Sequence, residues 1–185
     1  FYLTIGENLS YDGVGILDEI FQADENQYRL VLKKDGSVVW TGSVMSDMLE
    51  YPDGEFVYDG KIVAKDLTRL STFKFPLTTD RQTIISTIAE LLDDIGYGID
   101  IYTYTSWTEQ SISSTDDFLN QIYIDQKGLR KFANNGDETD QPITHEKALL
   151  QILRNFGLVI RQYDNAWRVY QYTALDNASS VDEYR

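Results

Sequence analysis

Two pairs of adjacent carboxylates are the side chains of this sequence that come closest to catalytic chemistry. Asp93-Asp94 and Asp116-Asp117 each place two acids next to each other, and glycoside hydrolysis uses two carboxylates that face one another across a cleft. Adjacency in sequence does not create that geometry. Asp93-Asp94 also falls at a predicted helix C-terminus, where the helix dipole disfavours anions, so a solvated helix end is the favoured interpretation.

A metal site is also poorly supported by the residue types. The polar segment 134–140, NNGDETD, offers oxygen ligands, but its spacing does not match an EF-hand calcium loop, and an exposed loop is favoured. The chain has no cysteine and one histidine, His145, which excludes thiolate and multi-histidine sites within it. We interpret His145 as a first-turn helix residue with no nucleophile to serve. We therefore predict no catalytic, cofactor-binding or metal-binding residues and no enzyme activity.

Aromatic side chains offer a binding chemistry that does not need catalysis. Of the three tryptophans, Trp40 and Trp167 lie in predicted strands, so packing in the core is the favoured interpretation. Trp107 follows a strand and is a candidate for exposure. Together with Tyr102 and Tyr104, it could stack against the sugar rings of a surface glycan. A carbohydrate-binding or host-surface recognition module is therefore kept as an alternative function.

The charge balance limits the classes of partner. The 185 residues contain 16 Lys+Arg and 30 Asp+Glu, a net charge of -14, which argues against non-specific nucleic-acid binding and against an anionic membrane surface. No run approaches the roughly 18 apolar residues of a membrane helix, and the N-terminus lacks a signal-peptide pattern. We expect an acidic, solvated surface, with a high-salt setting left open. Because the chain starts at Phe1 without an initiator methionine, we expect a processed protein or a piece of a longer one.

Hairpin signals dominate the first part of the chain. Apolar and polar residues alternate over 28–33, which is typical of a half-buried strand, and two Asp-Gly pairs mark hairpin turns. The predicted turns are Asp35-Gly36 and Asp59-Gly60, and the predicted strands cover 28–33, 37–45, 55–58 and 61–64. After a connector with one helical turn at 66–70, a domain boundary is placed near Lys74. We predict an antiparallel sheet or split β-barrel over residues 1–74.

The second part of the chain, 75–185, is predicted to be an α+β domain with helices near 79–95 and 144–156. The first helix would be capped by Thr79 or Asp80 and stopped by Gly96, with a strand over 99–105 after it. Its apolar stripe recurs at helical spacing and consists of Ile84, Ile88, Leu91, Leu92 and Ile95.

The helix over 144–156 has the clearest local signals. Thr144 is a plausible N-cap, and Gly157 is placed to end the helix. Two β-prone runs then flank Asp164-Asn165, which predicts a hairpin over 158–172. The fold class expected for the whole chain is α+β, with an antiparallel sheet followed by a small unit of helices and a hairpin.

Three segments of the chain resemble one protein family when they are taken in order. They are residues 19–44 with 55–73, residues 83–101 with 116–129, and residues 145–171. Within them lie a strand ending in Trp40-Thr41-Gly42, an Ala64-Lys65-Asp66 step, and a closing helix and hairpin whose return strand carries Trp167. This order is similar to the tail-associated, or baseplate-hub, proteins of long-tailed bacteriophages.

The resemblance implies a structural role rather than an enzymatic one. Hub proteins form homotrimers at the tail tip of the virion, where they close the tail tube and organise the assembly of the tip. The expected partners are further copies of the chain and other tail proteins, such as the tube or distal tail ring and the fibres. Neither nucleic-acid recognition nor a stable membrane anchor is expected.

Overall fold

A computed structural model describes two compact units, unit 1 over Phe1–Arg69 and unit 2 over Leu70–Arg185. The residues that it describes are 2–5, 10–11, 14–15, 19–20, 22–24, 27–46, 60–76, 81–105, 117–129 and 142–172, with side chains from Glu19 onward except Lys61 and Lys127. The boundary expected from sequence near Lys74 lies shortly after this division. Lys74 itself belongs to unit 2, where it forms an isolated β-bridge with Thr144.

Unit 1 is built on an open, four-stranded antiparallel sheet. The unit has six strands, of which two short ones pair only with each other. The strands are β1 (Tyr2–Ile5), β2 (Ser10–Tyr11), β3 (Val14–Gly15), β4 (Arg29–Lys34), β5 (Ser37–Val44) and β6 (Gly60–Lys65). The sheet order is β1-β6-β5-β4, and β2 pairs with β3. The described residues form an antiparallel sheet, as predicted, and they do not close it into a barrel.

The β4–β5 hairpin confirms the turn predicted at Asp35-Gly36. Both residues have positive φ, 51° and 85°, which matches the left-handed backbone of a two-residue hairpin turn. On one side of the sheet Val44 packs with Ile20 and Ile62 in the core of the unit. The first arm of the second predicted hairpin, 55–58, lies outside the described residues, while β6 pairs with β1 and, at its end, with β5.

Trp40 joins two of the sequence motifs in unit 1. Its ring lies over Gly42, where an added Cβ would stand 2.6 Å from Cζ2 and 2.8 Å from Cζ3 of the indole. Its side chain also hydrogen-bonds Asp66, with the indole N–H donating to the carboxylate, and Trp40 is only 6% exposed. Trp40-Thr41-Gly42 and Ala64-Lys65-Asp66 therefore meet in one local structure, and the expectation that Trp40 packs in the core is confirmed.

Unit 2 combines helices with a mixed sheet, so the predicted α+β class is confirmed. Its elements are β7 (Arg81–Thr83), α1 (Ile84–Asp93), β8 (Asp100–Tyr104), α2 (Phe118–Gln121), β9 (Tyr123–Asp125), α3 (His145–Asn155), β10 (Leu158–Tyr163) and β11 (Ala166–Gln171). A 3-10 turn at Gln126–Leu129 also belongs to unit 2, while another at Thr68–Ser71 spans the division between the units, close to the helical turn predicted at 66–70. The sheet order is β10-β11-β8, with β11 antiparallel to β10 and parallel to β8.

The start predicted for the first helix is wrong. Residues Arg81–Thr83 form β7 and pair with β9, so the helix begins only at Ile84, and Thr83 rather than Thr79 or Asp80 is its N-cap. The Thr83 hydroxyl accepts from the Ser86 backbone N–H at 3.2 Å. Thr79 and Asp80 lie outside the described residues. The predicted apolar stripe is confirmed, because all five of its side chains are at most 3% exposed.

The helix and hairpin predicted over 144–172 are confirmed. Thr144 caps α3 and accepts from the Lys147 backbone N–H at 3.4 Å, and Gly157 ends the helix with φ 60°. Asp164 and Asn165 have φ of 49° and 54°, so the β10–β11 turn is again of the left-handed hairpin kind. Among the helices that the structure describes, none is long and apolar enough to cross a membrane.

His145 is buried at the start of α3, which the sequence did not indicate. It is 3% exposed, its Nδ1 lies 3.2 Å from Oδ2 of Asp94, and its ring stacks on Phe73 with centroids 5.7 Å apart. Phe75 meets the same ring edge-on at 5.9 Å. Backbone bonds reinforce the contact, because the His145 N–H donates to Phe73 O and the Phe75 N–H donates to Ile143 O. His145 thus connects three parts of unit 2: the segment that precedes β7, the C-terminal end of α1 and the N-terminal end of α3.

Gly42→Ala is expected to destabilise unit 1 by about 1–3 kcal/mol, because the new methyl group overlaps the rigid Trp40 indole. Urea titration followed by the NMR signals of β5 amides measures the change. Gly128→Ala is the matched control, since a Cβ there meets nothing within 4 Å. Equal stability of Gly42→Ala and the natural chain would contradict the packing described for Trp40.

Asp66→Asn is expected to flatten the pH dependence of unit 1 stability. Burial raises the pKa of Asp66 above 3.8, and hydrogen bonds from the Asp66 and Leu67 backbone and from Trp40 only partly oppose that rise. Since the folded pKa is raised, the natural fold binds more protons than the unfolded chain. The contribution of Asp66 to stability is therefore fully present below about pH 3.8 and is lost as the pH rises through the folded pKa.

Urea unfolding of the natural chain and of Asp66→Asn between about pH 3.5 and pH 7 checks this slope. The natural chain should lose stability relative to the variant as the pH rises. Asp35→Asn is the control, because Asp35 is exposed and asparagine also tolerates its positive φ. A parallel pH dependence of the natural chain and Asp66→Asn would refute the prediction.

Candidate functional site

The outer side of the three-stranded sheet carries an unusual set of side chains. β11 is central, and successive side chains of a strand point to opposite faces. Trp167 and Val169 are buried on the inner face, so their neighbours in sequence point outward. The register of β8 and β10 places Asp100, Val159 and Ala166 on the outer side together with a set of tyrosines and arginines. That set, with Tyr172 directly after β11, defines the tyrosine–arginine face: Tyr102, Tyr104, Arg161, Tyr163, Arg168, Tyr170 and Tyr172.

Arg168 is the centre of this face. Its Cζ lies 5.3 Å from the ring centroid of Tyr102, 5.8 Å from that of Tyr104 and 5.6 Å from that of Tyr163. These distances are within the range of cation–π attraction. Arg168 Nη1 also donates to the hydroxyl oxygen of Tyr104. One guanidinium from β11 therefore contacts tyrosines from both neighbouring strands.

The rim of the tyrosine–arginine face is open to solvent. Tyr163 is 63% and Tyr172 67% exposed, and the exposed Arg161 places its Cζ 6.0 Å from the Tyr170 centroid. This side of the sheet thus carries two cations and the exposed carboxylate of Asp100, in a chain of net charge -14. The centre of the face is half-buried and preorganised by Arg168, while its edge still has aromatic area to bury against another molecule.

This arrangement is suited to recognition. Tyrosine and arginine are enriched in protein–protein interfaces and among the residues that dominate their energy. Tyrosine supplies a large apolar ring with a polar tip, so it also suits sugar rings. The face can therefore stack and hydrogen-bond to a flat partner surface, and its two guanidinium groups favour acidic or polar groups on that partner.

The sequence indicated part of this site. Tyr102 and Tyr104, proposed as exposed aromatics, share one side of β8 but are half-buried rather than exposed, while Trp107 lies outside the described residues. Trp167 is 2% exposed, which confirms that it packs in the core. Arg168 and Tyr163 were missed, although the alternation of polar and buried positions along β11 is a signal from which Arg168 could have been placed outward.

The carboxylates of the two pairs that the structure describes hold or end elements of the fold. Asp117 is buried at 3% exposure, and its two oxygens accept from the hydroxyls of Thr103 at 2.5 Å and Thr105 at 2.7 Å. It thereby ties the start of α2 to β8. Asp93 is exposed at the end of α1 and Asp94 is its C-cap, as expected for a helix end, while Asp116 lies outside the described residues.

The segment 134–140, considered above as a calcium loop, also lies outside the described residues. In the parts of the chain that the structure describes, no group of three or more His, Cys, Asp or Glu side chains could hold a metal ion. Comparison of the chain with protein-family models, with curated proteins and with solved structures found no match.

Tyr104→Phe is expected to lower the free energy of unfolding of unit 2 by about 0.5–1.5 kcal/mol, because Arg168 loses a hydrogen-bond acceptor. Tyr163→Phe is the matched control, since it keeps the ring beside Arg168 and changes an exposed hydroxyl. Urea unfolding followed by amide signals of β11 compares the two variants. A loss in Tyr163→Phe as large as that in Tyr104→Phe would contradict the role given to the Tyr104 hydroxyl.

Proposed function

We propose that this chain is a structural component of a phage tail tip, a baseplate-hub or tail-associated protein. In this role it closes the tail tube and organises assembly of the tip as a homotrimer in contact with other tail proteins. The observation that carries the proposal is the tyrosine–arginine face, a preorganised surface with exposed aromatic rings. A protein that works by assembly needs such a surface, and it needs no convergent catalytic groups.

The motifs of the resemblance add support from unit 1. Trp40-Thr41-Gly42 and Ala64-Lys65-Asp66 are distant in sequence, yet Trp40 covers Gly42 and hydrogen-bonds Asp66. The positions matched to the family therefore act together in holding the sheet. Residues with this role are expected in a scaffold protein, where the matched positions maintain a fold rather than carry out a reaction.

The physical properties of the tyrosine–arginine face favour a protein partner. Exposed Tyr163 and Tyr172 lose water-accessible apolar area on contact, which is the main favourable term in association. Arg168 is already held between rings, so less side-chain entropy is lost when a partner docks on it. A second copy of the chain or a neighbouring tail protein would cover these rings.

The solution mass measured by light scattering over a wide concentration range tests the assembly proposal. We expect a trimer in the natural chain and dissociation in Arg161→Glu/Tyr163→Ser, because that double variant reverses a charge and removes an exposed ring from the tyrosine–arginine face. The expected loss of association is at least about tenfold, in line with interface residues of these types.

Lys147→Glu is the matched control for this experiment. Lys147 is exposed on the first turn of α3, where an acidic residue is compatible with the helix dipole. It reverses one charge away from the tyrosine–arginine face and should leave the trimer intact. A natural chain that remains monomeric at every concentration, or a double variant that assembles as well as the control, would count against assembly through this face.

The alternative is recognition of a carbohydrate on a host surface. The adjacent rings of Tyr102 and Tyr104, with Arg168 beside them, favour this second function because sugars stack on aromatic faces. It predicts saturable sugar binding by a monomer. If the Arg161→Glu/Tyr163→Ser variant loses glycan binding in a glycan screen while the mass of the protein stays that of a monomer, the carbohydrate function replaces the assembly function.

A further inference from the structure

The four-stranded sheet of unit 1 ends at β4, and no strand among the described residues pairs with the outer edge of β4. An edge strand presents a row of backbone N–H and C=O groups on which a further strand can pair. This edge belongs to unit 1, whereas the tyrosine–arginine face belongs to unit 2. Binding at the edge of β4 therefore does not require assembly through that face.

The pairing with β5 determines which backbone groups of β4 point outward. The Val44 N–H donates to Tyr28 O at 2.9 Å, and antiparallel partners alternate between hydrogen-bonded and non-hydrogen-bonded pairs. Continuing the same register, Leu30 is in the next hydrogen-bonded pair, and Val31, opposite Thr41, is in a non-hydrogen-bonded pair. The N–H and C=O of Val31 therefore point to the outer edge.

The side chains of β4 divide into a basic side and an apolar side. Arg29, Val31 and Lys33 are exposed on one side, and Val31 is 43% exposed. Leu30 and Leu32 are half-buried on the other side, where Leu30 packs against the core of the unit. The register shift in the hairpin puts its extra residue in β5, so this alternation along β4 is unbroken.

The charges of β4 oppose its pairing with the same strand of a second copy. Antiparallel pairing about Val31 would place Arg29 opposite Lys33, and parallel pairing in register would place each cation beside its equivalent. Like charges directly opposite each other destabilise a strand pair, whereas opposite charges stabilise it. The favoured partner strand therefore carries carboxylates at every second position.

We propose that the outer edge of β4 binds an extended segment of a protein partner in which acidic and apolar residues alternate. The segment adds a further strand to the sheet through main-chain hydrogen bonds to Val31. Its carboxylates lie beside Arg29 and Lys33, and its apolar side chains lie beside Leu30 and Leu32. In strand addition of this kind the main-chain hydrogen bonds supply affinity, and the alternate side chains supply specificity.

NMR titration of the ¹⁵N-labelled chain with a blocked hexapeptide of alternating glutamate and valine tests the proposal. We expect saturable shifts of the β4 amide signals and slower hydrogen exchange of the Val31 N–H, because that group becomes hydrogen-bonded. A control peptide with lysine in place of glutamate should bind at least about tenfold more weakly. Equal affinity for the two peptides, no saturable binding, or binding without slower exchange at Val31 would overturn the proposal.

Val31→Pro separates main-chain pairing from charge. Proline has no N–H and is tolerated on an edge strand where the N–H faces solvent, so the amide signals of β5 should be retained. Affinity for the acidic peptide should fall at least about tenfold, because the main-chain hydrogen bond is lost. Val31→Thr is the matched control, since it keeps the N–H and a β-branched side chain, and it should bind as the natural chain does.

Lys33→Glu tests the charge without changing the backbone, so it remains informative if proline disturbs the sheet. It should weaken binding of the acidic peptide about fivefold and strengthen binding of the lysine peptide. Lys34→Glu is the control, because Lys34 is equally exposed but points to the other side of β4, and it should have the smaller effect. Undiminished binding of the acidic peptide by Lys33→Glu, or by Val31→Pro with an intact sheet, would overturn the proposal.

Hydrogen exchange of the chain alone distinguishes a protein partner from a second copy. Without peptide, exchange of the Val31 N–H should not depend on the protein concentration. Faster exchange on dilution would assign the edge of β4 to a second copy of the chain and overturn the proposal.

Discussion

The central position of β11 is the constraint on which unit 2 depends. β10 is hydrogen-bonded to one edge and β8 to the other, so the strand cannot shift by one residue without sending every side chain to the opposite face. That register places Trp167 inward and Arg168 outward. The buried inner side of the sheet and the tyrosine–arginine face are therefore two consequences of one strand pairing, separated by the thickness of a single sheet.

Unit 1 depends on a different kind of contact, in which a side chain reaches across the sheet. The Trp40 indole needs a residue without a side chain at Gly42 and an acceptor at Asp66. The acceptor is retained although burial raises the pKa of its carboxyl group. Burial disfavours the charged form of this carboxyl group. The buried acid is nevertheless tolerated because it accepts a hydrogen bond from the indole N–H, which would be costly to bury without a partner.

The sequence predicted the features whose information is local. Gly157 and the Asp164-Asn165 turn were correct because a helix end or a tight turn is determined by a few neighbouring residues. The start of α1 was wrong because Arg81–Thr83 joins a strand at Tyr123–Asp125, which no helical periodicity can reveal. The candidate site divides in the same way. Tyr102 and Tyr104 could be selected from their own strand, whereas Arg168, 64 residues from Tyr104, could be paired with them only once the parallel register was known.

The parallel pairing of β8 with β11 also orders the events of folding. The β10–β11 hairpin closes through a two-residue turn and can form within microseconds. β8 can pair with the hairpin only after the long segment between Asp100 and Ala166 has closed into a loop, because these two residues are partners in the sheet. Closing a longer loop adds little to the equilibrium cost, since that cost grows with the logarithm of length, but dependence on distant contacts slows folding. We therefore expect the edge of β11 that receives β8 to be unpaired early in folding, and the tyrosine–arginine face to be completed only when β8 docks.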